Sequence, residues 1–410
     1  MLFSFRARLF LSKYGTLLFE VMNLKVLGII VEYNPFHNGH IYHIQKAKEM
    51  TKCDYVIAVM SSSFVQRGEP AIIDKWTRSR LAVEFGVDLV IELPFVYSCQ
   101  SADYFAKGAI DLLNAIGVTD LCFGSEDGRI ETFIEIAKTL KENQNQYDEF
   151  VKVYMQKGFR YPDACNQAIS QIMQKEIKTP NDLLGLSYVK YIINQGYAIT
   201  PHCFQRTNNY HDTTLQDIAS ASAIRQALKN KQNIQNSLPH HELYQNDLFF
   251  LDDFFPYLRY QLLTISPSRL KQYHLVEEGM ENALIKHIQD SRSMEEFINK
   301  LVSKRYTKPR IQRTIIHILM QNTKEEINKA MDIDYIRILA MNTKGQYYLK
   351  SIKKTCPYII VSCFSKYHHP ALDIEYKATK LLSLLATDSQ NFIKQEYTNI
   401  PYINKKTMHE

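Results

Sequence analysis

Two histidines three residues apart, His37 and His40, are the residues of this chain best suited to chemistry. They follow an apolar run at residues 26–31 and an Asn-Pro turn, so a buried strand is predicted to end where a helix begins. A helix N-terminus offers unpaired N–H groups and a positive dipole end to phosphates. Imidazole N–H groups there can donate to oxygens that gain charge, and Gly39 permits close approach. The pattern predicts a site that cleaves a nucleoside triphosphate at its α-phosphate.

A metal site is the alternative interpretation of the same pair, and His43 lengthens the histidine run. Metal-binding motifs usually supply a third ligand of matching type at fixed spacing. The neighbouring sequence offers none, so phosphate binding is favoured and no metal ligands are predicted. A His-x-x-His pair without this context would more often lie on a surface or in ordinary packing.

Short apolar strands alternate with helices between residues 25 and 126, and these elements must position the histidines. Strands are predicted at 26–33, 54–60, 88–93 and 119–123, with a further one at 198–205, and helices at 38–50, 74–85 and 101–116. Asp74 is the predicted N-cap of its helix. This order indicates an α/β fold with a parallel sheet covered on both faces. Ligands in such sheets bind beyond the carboxyl ends of the strands, which is where the histidine turn lies.

A second phosphate contact is predicted at the helix start that contains Ser220, Ser222 and Arg225. Hydroxyl groups and N–H groups at a helix start, with an arginine one turn later, can hold an anion. A serine-rich helix start is more often only an N-cap. The pairing with the histidine turn within one α/β domain favours the phosphate interpretation.

A third candidate is the loop at residues 64–70 and the helix that follows it. The functional interpretation is a mobile loop that brings Arg67, and Lys75 or Arg78, onto the triphosphate or a carboxylate substrate. Cations there would neutralise charge as pyrophosphate leaves. The alternative is a solvated loop followed by a surface helix.

The alternation of strands and helices is lost beyond about residue 232. We therefore predict three segments: a leader at 1–21, an α/β nucleotide-binding domain at 22–232 and a mainly helical, basic domain at 233–410. The leader precedes Met22, which we expect to be the natural start. The helical domain contains a basic segment, 301–313, that has no acid and includes Tyr306. Its cations, predicted to contact RNA, are Lys304, Arg305, Lys308, Arg310 and Arg313.

The composition excludes several protein classes. Over 410 residues, 45% are hydrophobic and 22% charged, which is typical of a globular chain. The formal net charge of +6 permits an anionic partner without requiring one. No apolar run is long enough to cross a bilayer, so no membrane partner is expected. The seven scattered cysteines lack a Cys-x-x-Cys pair and predict buried thiols in the cytoplasm instead of disulfides or a zinc site.

Seven strings in the chain resemble the bacterial tRNA(Met) cytidine acetate ligase family. They are GIIVEYNPFHNGHIYHI, FVQRGEPAIIDKW, DLVIELPF, FGSEDG, PNDLLGLSYVK, SASAIR and KRYTKPRIQR. The likeness begins near Lys25 and leaves the leader outside it. It implies a Rossmann-like nucleotidyltransferase fold shared with class I aminoacyl-tRNA synthetases.

The resemblance implies an activity as well as a fold. Such enzymes activate acetate with ATP, expected with Mg²⁺, to give acetyl-adenylate and pyrophosphate. They then acetylate N4 of the wobble cytidine of elongator tRNA(Met), without acetyl-CoA, and no protein partner is predicted. His37 and His40 would be catalytic. The ATP-contacting positions would be Ile30, Val31, Glu32, Tyr33, Asn34, Pro35, Phe36, His37, Asn38, Gly39, His40, Ile41, Tyr42, His43, Gly124, Asn181 and Arg206.

This chain departs from the family pattern at two places. Ser62 and Ser63 stand where Gly-Asn is expected, and residues 207–209 (Thr-Asn-Asn) replace an expected glycine-containing turn. Both changes are expected to reshape the mouth of the pocket without removing a catalytic group.

Two other functions compete with the ligase. A small-molecule nucleotidyltransferase would explain the first domain but leave the basic domain without a role. A nucleotide-dependent RNA-binding protein without catalysis would not need the histidines for its function. An aminoacyl-tRNA synthetase is disfavoured because the chain lacks a clear second signature loop of the lysine–serine type.

Overall fold

The computed structural model describes residues 24–177, 179–206, 220–245, 247–277 and 279–405. The expectations for the leader at 1–21 and for the turn at 207–209 lie outside these residues.

The described strands form one mixed, mostly parallel sheet. They are β1 (Val26–Val31), β2 (Tyr55–Ser61), β3 (Leu89–Leu93), β4 (Asp120–Ser125), β5 (Thr200–Gln205), β6 (Tyr335–Asn342), β7 (Ile359–Val361) and β8 (Tyr402–Asn404). Their order is β5-β4-β1-β2-β3-β6-β7, with β8 also paired to β6. The pairs among β1 to β5 are all parallel. The predicted α/β class is therefore confirmed.

The described helices lie between these strands. Up to β5 they are α1 (Asn38–Thr51), α2 (Lys75–Glu84), α3 (Phe95–Ser98), α4 (Ala102–Ala115), α5 (Ile130–Glu142), α6 (Gln144–Gln156), α7 (Tyr161–Met173) and α8 (Pro180–Gln195). After β5 they are α9 (Ala221–Lys229), α10 (Phe255–Thr264), α11 (Pro267–Leu270), α12 (Met280–Gln289), α13 (Met294–Leu301), α14 (Lys308–Leu319), α15 (Lys324–Ala330), α16 (Thr343–Ile352), α17 (Pro370–Ser383) and α18 (Ser389–Thr398).

The two faces of the sheet are covered by different helices. Side chains alternate between faces along a strand. Leu27 and Ile29 of β1 pack in one apolar cluster with residues of α1 and α2. Ile57 and Val59 of β2 pack in the other cluster with residues of α4 and α8. Because both faces are buried, the strands are nearly continuous apolar runs, which is why they were predictable.

The C-terminal part of the chain adds three strands that the sequence analysis missed. β6 runs antiparallel to β3, with Leu89 opposite Met341 and Val90 opposite Ala340. β7 and β8 pair with β6 in the parallel sense. The expectation that strands end near residue 232 is therefore wrong for residues 335–404, although helices still dominate there. The division into two domains at residue 232 stays a prediction.

A buried ion-pair cluster joins β6, α17 and α18 to the core of the sheet. Lys75 Nζ lies 2.6 Å from Glu92 Oε1, 2.8 Å from Glu396 Oε1 and 3.6 Å from Glu375 Oε2. Arg337 Nη1 lies 3.1 Å from Glu92 Oε2 and also pairs with Glu396. All five side chains are at most 3% exposed. Lys75 is thus a structural cation at the junction of distant segments.

The carboxyl groups of this cluster have opposite pKa shifts. Burial raises the pKa of Glu375 to about 8, with the carboxylate of Glu92 adding to the effect. Arg337 and Lys75 outweigh the burial of Glu396 and lower its pKa to about 2. With Glu375 protonated at neutral pH, the two cations face two carboxylates, so the cluster is close to electrically neutral. Glu375 also accepts a hydrogen bond from Phe95 N.

Candidate nucleotide-binding site

A pocket of about 290 Å³ opens at the carboxyl ends of β1 and β4. Twelve of the predicted ATP-contacting residues line this pocket. They are Ile30, Val31, Glu32, Asn34, His37, Gly39, His40, Tyr42, His43, Gly124, Asn181 and Arg206. The predicted phosphate contacts Arg67, Ser220, Ser222 and Arg225 line it as well. The structure therefore brings the histidine turn, the loop arginine and the serine-rich helix start together.

His37 and His40 form a capping box at the start of α1. Gly39 N donates to His37 Nδ1 at 3.0 Å, and His37 N donates to His40 Nδ1 at 3.2 Å. Because each Nδ1 accepts a backbone hydrogen, the proton of each neutral imidazole is on Nε2. The two rings lie 3.9 Å apart between centroids. The backbone thus fixes both rings as a pair of Nε2–H donors in the pocket wall.

Both imidazoles are held neutral. Burial lowers the pKa of His37 to about 3, with the positive charges of Arg206 and Arg225 adding to the effect. Burial also lowers the pKa of His40 well below its usual value, with smaller effects from His37 and His43. Neutral donors can stabilise a developing negative charge without carrying a positive charge in the unliganded protein.

The N–H groups at the start of α1 are occupied, which corrects one expectation. Asn38 N donates to Ser237 O at 3.3 Å, and His40 N donates to His37 O at 2.8 Å. Gly39 N is bonded to His37 Nδ1. The first three N–H groups therefore cannot serve a phosphate in this arrangement. The imidazole donors and the helix dipole remain available to it.

Three arginines supply positive charge to the pocket. Arg206 follows β5, and its backbone N donates to Ser125 O at 2.9 Å while its side chain is exposed. Arg225 Nη1 donates to Asn34 O at 2.8 Å, and its Nη2 lies 3.4 Å from Glu69 Oε2. Burial lowers the pKa of Arg67, and the nearby carboxylates of the pocket oppose that shift. These cations converge from three separate segments on one cavity.

Two carboxylates, Glu32 and Glu69, also line the pocket. Glu32 Oε1 accepts from Gln66 N at 2.7 Å. Burial raises the pKa of Glu32, and Arg67 and Arg225 partly offset this effect. Glu69 was not singled out from the sequence. Its signal was the string FVQRGEP, in which Glu69 follows Arg67 by two residues.

One wall of the pocket is apolar and was largely missed. It consists of Val65, Phe105, Phe123, Leu184, Tyr188 and Phe204. These side chains come from a loop, α4, β4, α8 and β5, so no local motif joins them. Gly185 lies against this wall, because an added β-carbon would come within 2.5 Å of Phe123 Cε2. A cavity lined by both cations and aromatic rings suits a nucleotide.

Asn181 and Gly124 are held by the junction of β4 and α8. Asn181 Nδ2 donates to Glu126 Oε1 at 2.6 Å, and Thr179 Oγ1 donates to Glu126 Oε2 at 2.8 Å. A β-carbon at Gly124 would lie 3.1 Å from Arg206 Cγ. Since both residues line the pocket, the strings FGSEDG and PNDLLG form a single piece of its wall.

The loop at 64–70, interpreted from the sequence as either a mobile or a solvated loop, is a packed hairpin in this structure. Phe64 and Pro70 form an antiparallel bridge, and Val65 N donates to Glu69 O at 2.9 Å. Gly68 has a φ of +79°, and an added β-carbon would lie 2.3 Å from Arg313 N. The hairpin is therefore pressed against the backbone of α14.

Helix α14 fixes this hairpin with two side chains. Arg313 Nη1 donates to Gln66 O at 3.0 Å, and Gln312 Nε2 donates to Glu69 Oε1 at 3.2 Å. Burial lowers the pKa of Arg313 to about 10. Arg313 is only 8% exposed, so it supports the pocket instead of lying on an RNA-binding surface as predicted.

Several predicted site residues lie outside the pocket lining. Tyr33, Pro35 and Phe36 are buried beneath it, and Asn38 and Ile41 lie on α1 outside its lining. Lys75 belongs to the buried ion-pair cluster, so a phosphate contact by Lys75 is wrong for this structure.

Arg78 and the serine departure are structural as well. The buried guanidinium of Arg78 donates to Glu32 O at 2.7 Å and to Ser61 O at 3.0 Å. Ser62 and Ser63 are buried and do not line the pocket. Ser62 and Ser63 therefore form no part of its mouth.

The remaining residues of the basic segment differ in exposure. Lys304, Arg305 and Lys308 are exposed. Arg310 Nη2 lies 3.2 Å from Glu277 Oε2, which compensates its charge. The exposed cations of this segment are therefore those before and at the start of α14.

Three further observations concern metal sites, cysteine thiols and membrane-spanning helices. Within the described ranges, no group of three or more His, Cys, Asp or Glu side chains could hold a metal ion. All seven cysteines are free thiols. In the same part of the chain, no helix is both long and apolar enough to cross a membrane.

Known proteins resemble this chain over most of its length. The family model described as HIGH Nucleotidyl Transferase matches residues 24–397. A curated protein of Bacillus subtilis (strain 168) named tRNA(Met) cytidine acetate ligase is 41% identical over 402 residues, covering 92% of this chain and 97% of its own. A protein of the same name from Anoxybacillus flavithermus is 43% identical over 377 residues, covering 87% and 94%.

Solved structures show the same likeness. A crystal structure of Thermotoga maritima TmcAL (apo, form I) superposes with a TM-score of 0.85 at 31% identity, covering 93% of this chain and 100% of its own. A second form of that protein, bound with α-thio ATP, gives a TM-score of 0.84 at the same identity and coverage. The predicted resemblance and fold are both confirmed.

Proposed function

The chain belongs to the tRNA(Met) cytidine acetate ligase family, and we propose that it activates acetate with ATP and acetylates N4 of the wobble cytidine of elongator tRNA(Met). The observation that carries the proposal is the pair of neutral Nε2–H donors on His37 and His40, set by backbone hydrogen bonds in a pocket with Arg67, Arg206 and Arg225. Binding of an ATP analogue by a relative of the same fold supports ATP as the nucleotide.

The pocket offers suitable side chains for both parts of the proposed nucleotide. The apolar wall, including Phe105 and Tyr188, suits the base and ribose. The arginines and imidazole donors suit the triphosphate. Mg²⁺ is expected to enter with ATP, because this ion usually retains phosphate and water ligands.

The first step joins acetate to the α-phosphate. A carboxylate oxygen of acetate attacks the α-phosphorus, and the bond to the β-phosphate oxygen breaks to release pyrophosphate. Negative charge grows on the phosphate oxygens during this step, and His37 and His40 donate hydrogen bonds to them. The arginines offset the charge of the departing pyrophosphate.

The second step transfers the acetyl group to RNA. The N4 nitrogen of the cytidine attacks the carbonyl carbon of acetyl-adenylate, the bond to the phosphate oxygen breaks, and AMP leaves while N4 gives up one proton. Cleavage of ATP supplies the free energy that forms acetyl-adenylate, so acetyl-CoA is not required as the acetyl donor. A tRNA substrate and free thiols are in keeping with a cytoplasmic location.

Isotope exchange tests the activation step. We expect labelled pyrophosphate to exchange into ATP when acetate is present, measured with and without a tRNA(Met) transcript. Exchange should be lost when acetate is omitted and should not be restored by acetyl-CoA. Exchange that instead required a phosphate-bearing acceptor would indicate a small-molecule nucleotidyltransferase.

A further inference from the structure

An exposed surface beside the pocket combines aromatic rings with cations. We propose that the single-stranded RNA flanking the reactive cytidine binds across this aromatic–basic surface, made of Tyr104, Phe159, Arg160, Tyr161, Lys304 and Lys308. The proposal rests on the proposed function and names the part of the chain that holds its RNA substrate next to the pocket.

The aromatic part is unusually open to solvent. Tyr104 is 48% exposed, Phe159 41% and Tyr161 43%. Phe159 lies in the turn between α6 and α7, Tyr161 begins α7, and Tyr104 lies in the first turn of α4. Clustered exposed rings commonly mark an interaction site.

A hydrogen bond places these rings beside the pocket. Tyr161 Oη donates to Asp103 Oδ2 at 2.9 Å, which ties the start of α7 to the start of α4. Tyr104 is the next residue, and Phe105 after it lines the nucleotide pocket. The exposed rings are therefore adjacent in the fold to the apolar pocket wall.

A second hydrogen bond joins the rings to the basic segment. Arg160 Nε donates to Ser303 O at 3.2 Å. Lys304 follows Ser303 directly, and Lys308 starts α14; both are exposed. Asp163 is an exposed acid on α7 beside this surface. The surface itself contains three cations, Arg160, Lys304 and Lys308, so positive charge exceeds the charge of this acid. The turn before α7 and the loop before α14 thus form one surface, although 143 residues separate Arg160 from Ser303.

The structure disfavours Tyr306, the aromatic residue of the basic segment, as a platform for base stacking. The Tyr306 Oη donates to Glu277 O at 3.3 Å, and its half-buried ring packs against the core. Arg310 is paired with Glu277, and Arg313 is buried. The basic segment alone therefore lacks an exposed aromatic ring, and the region from the α6–α7 turn to the start of α7 supplies Phe159 and Tyr161.

The chemistry of the surface selects RNA with unpaired bases. Cations bind the phosphate backbone, and exposed rings stack on bases of any type. An enzyme that acts on a base must take it out of its stack, and neighbouring bases then need new stacking partners. A nearby aromatic platform meets that need for the nucleotides that flank the cytidine.

Single substitutions of the rings and cations test the surface. Tyr104→Ala and Phe159→Ala are each expected to weaken binding of a tRNA(Met) transcript, and to raise its KM for acetylation, by about tenfold. Lys304→Ala and Lys308→Ala are each expected to lower the slope of log Kd against log salt by about one. Acetate-dependent ATP–pyrophosphate exchange should be unchanged in all four variants.

Tyr347→Ala is the matched control. Tyr347 is 63% exposed and lies on α16, whose Lys344 Nζ contacts Asp54 O at the amino-terminal edge of the sheet. This variant should bind tRNA like the wild type. Wild-type tRNA affinity in Tyr104→Ala and Phe159→Ala, or equal losses in Tyr347→Ala, would overturn the proposal. Absence of exchange in the wild type would instead refute the proposed function, because tRNA binding is measured separately.

Discussion

Replacing His40 by alanine is expected to lower acetate-dependent ATP–pyrophosphate exchange by roughly 10²- to 10³-fold, the usual effect of removing one donor to a developing oxyanion. The imidazole of His40 is held neutral with its proton on Nε2, because its Nδ1 accepts from His37 N. Alanine removes that donor and leaves the arginines in place. The exchange rate at saturating ATP and acetate is the measurement.

The loss of exchange in His40→Ala is expected to arise neither from unfolding nor from weaker tRNA binding. The substitution removes one capping interaction of α1, which costs about 1 kcal/mol, so the variant should stay folded in thermal denaturation. Its tRNA affinity should equal that of the wild type. His241→Ala, at a histidine that does not line the pocket, should exchange at the wild-type rate. Normal exchange in His40→Ala would contradict a catalytic role for this imidazole.

Lys75→Met is expected to lower the free energy of unfolding by about 3–5 kcal/mol, since removing one partner leaves a buried charge uncompensated. Lys75 contacts three carboxyl groups in the buried ion-pair cluster, and only Arg337 would remain to balance Glu92 and Glu396. Denaturant unfolding followed by circular dichroism measures the loss. A stable Lys75→Met variant with a raised KM for ATP would contradict this structural role and support the phosphate contact predicted from the sequence.

Glu375→Gln is the matched control, and its effect depends on pH. The pKa of Glu375 is raised from about 4.5 to about 8. Between these values the folded protein binds more protons than the unfolded chain, so this group makes the wild type less stable as pH rises. The glutamine side chain cannot ionise, so the variant's stability relative to the wild type should increase from pH 5 to pH 8. A difference that does not change over this range would show that Glu375 is already ionised in the folded protein.

The first five strands could be predicted because their signal is local. The strand expected at 54–60 is observed at Tyr55–Ser61, and Asp74 caps α2 through Thr77 N as expected. Strand β6 was missed because its partner β3 is far away in sequence and because Arg337 interrupts its apolar run. The carboxylates that neutralise Arg337 belong to β3 and α18, a pairing that no local pattern reveals.

The candidate site divides in the same way. The histidine turn follows from a local pattern, whereas Gly124, Asn181 and Arg206 were implied by the family resemblance, and the structure gathers all of them around one pocket. The aromatic wall and the support of the hairpin by Arg313 depend on packing between separate segments. Cations of the basic segment also looked alike in sequence, and only burial distinguishes the supporting Arg313 from the exposed Lys304.

Mass analysis of tRNA nucleosides tests the central claim most directly. The protein would be incubated with ATP, carbon-13-labelled acetate, unlabelled acetyl-CoA and a tRNA(Met) transcript, and the RNA digested to nucleosides. We expect N4-acetylcytidine that carries the label, at the wobble position, none when ATP is omitted, and an initial rate lowered by roughly 10²-fold or more in His40→Ala. Unlabelled N4-acetylcytidine derived from acetyl-CoA, or no acetylated cytidine at all, would contradict the account.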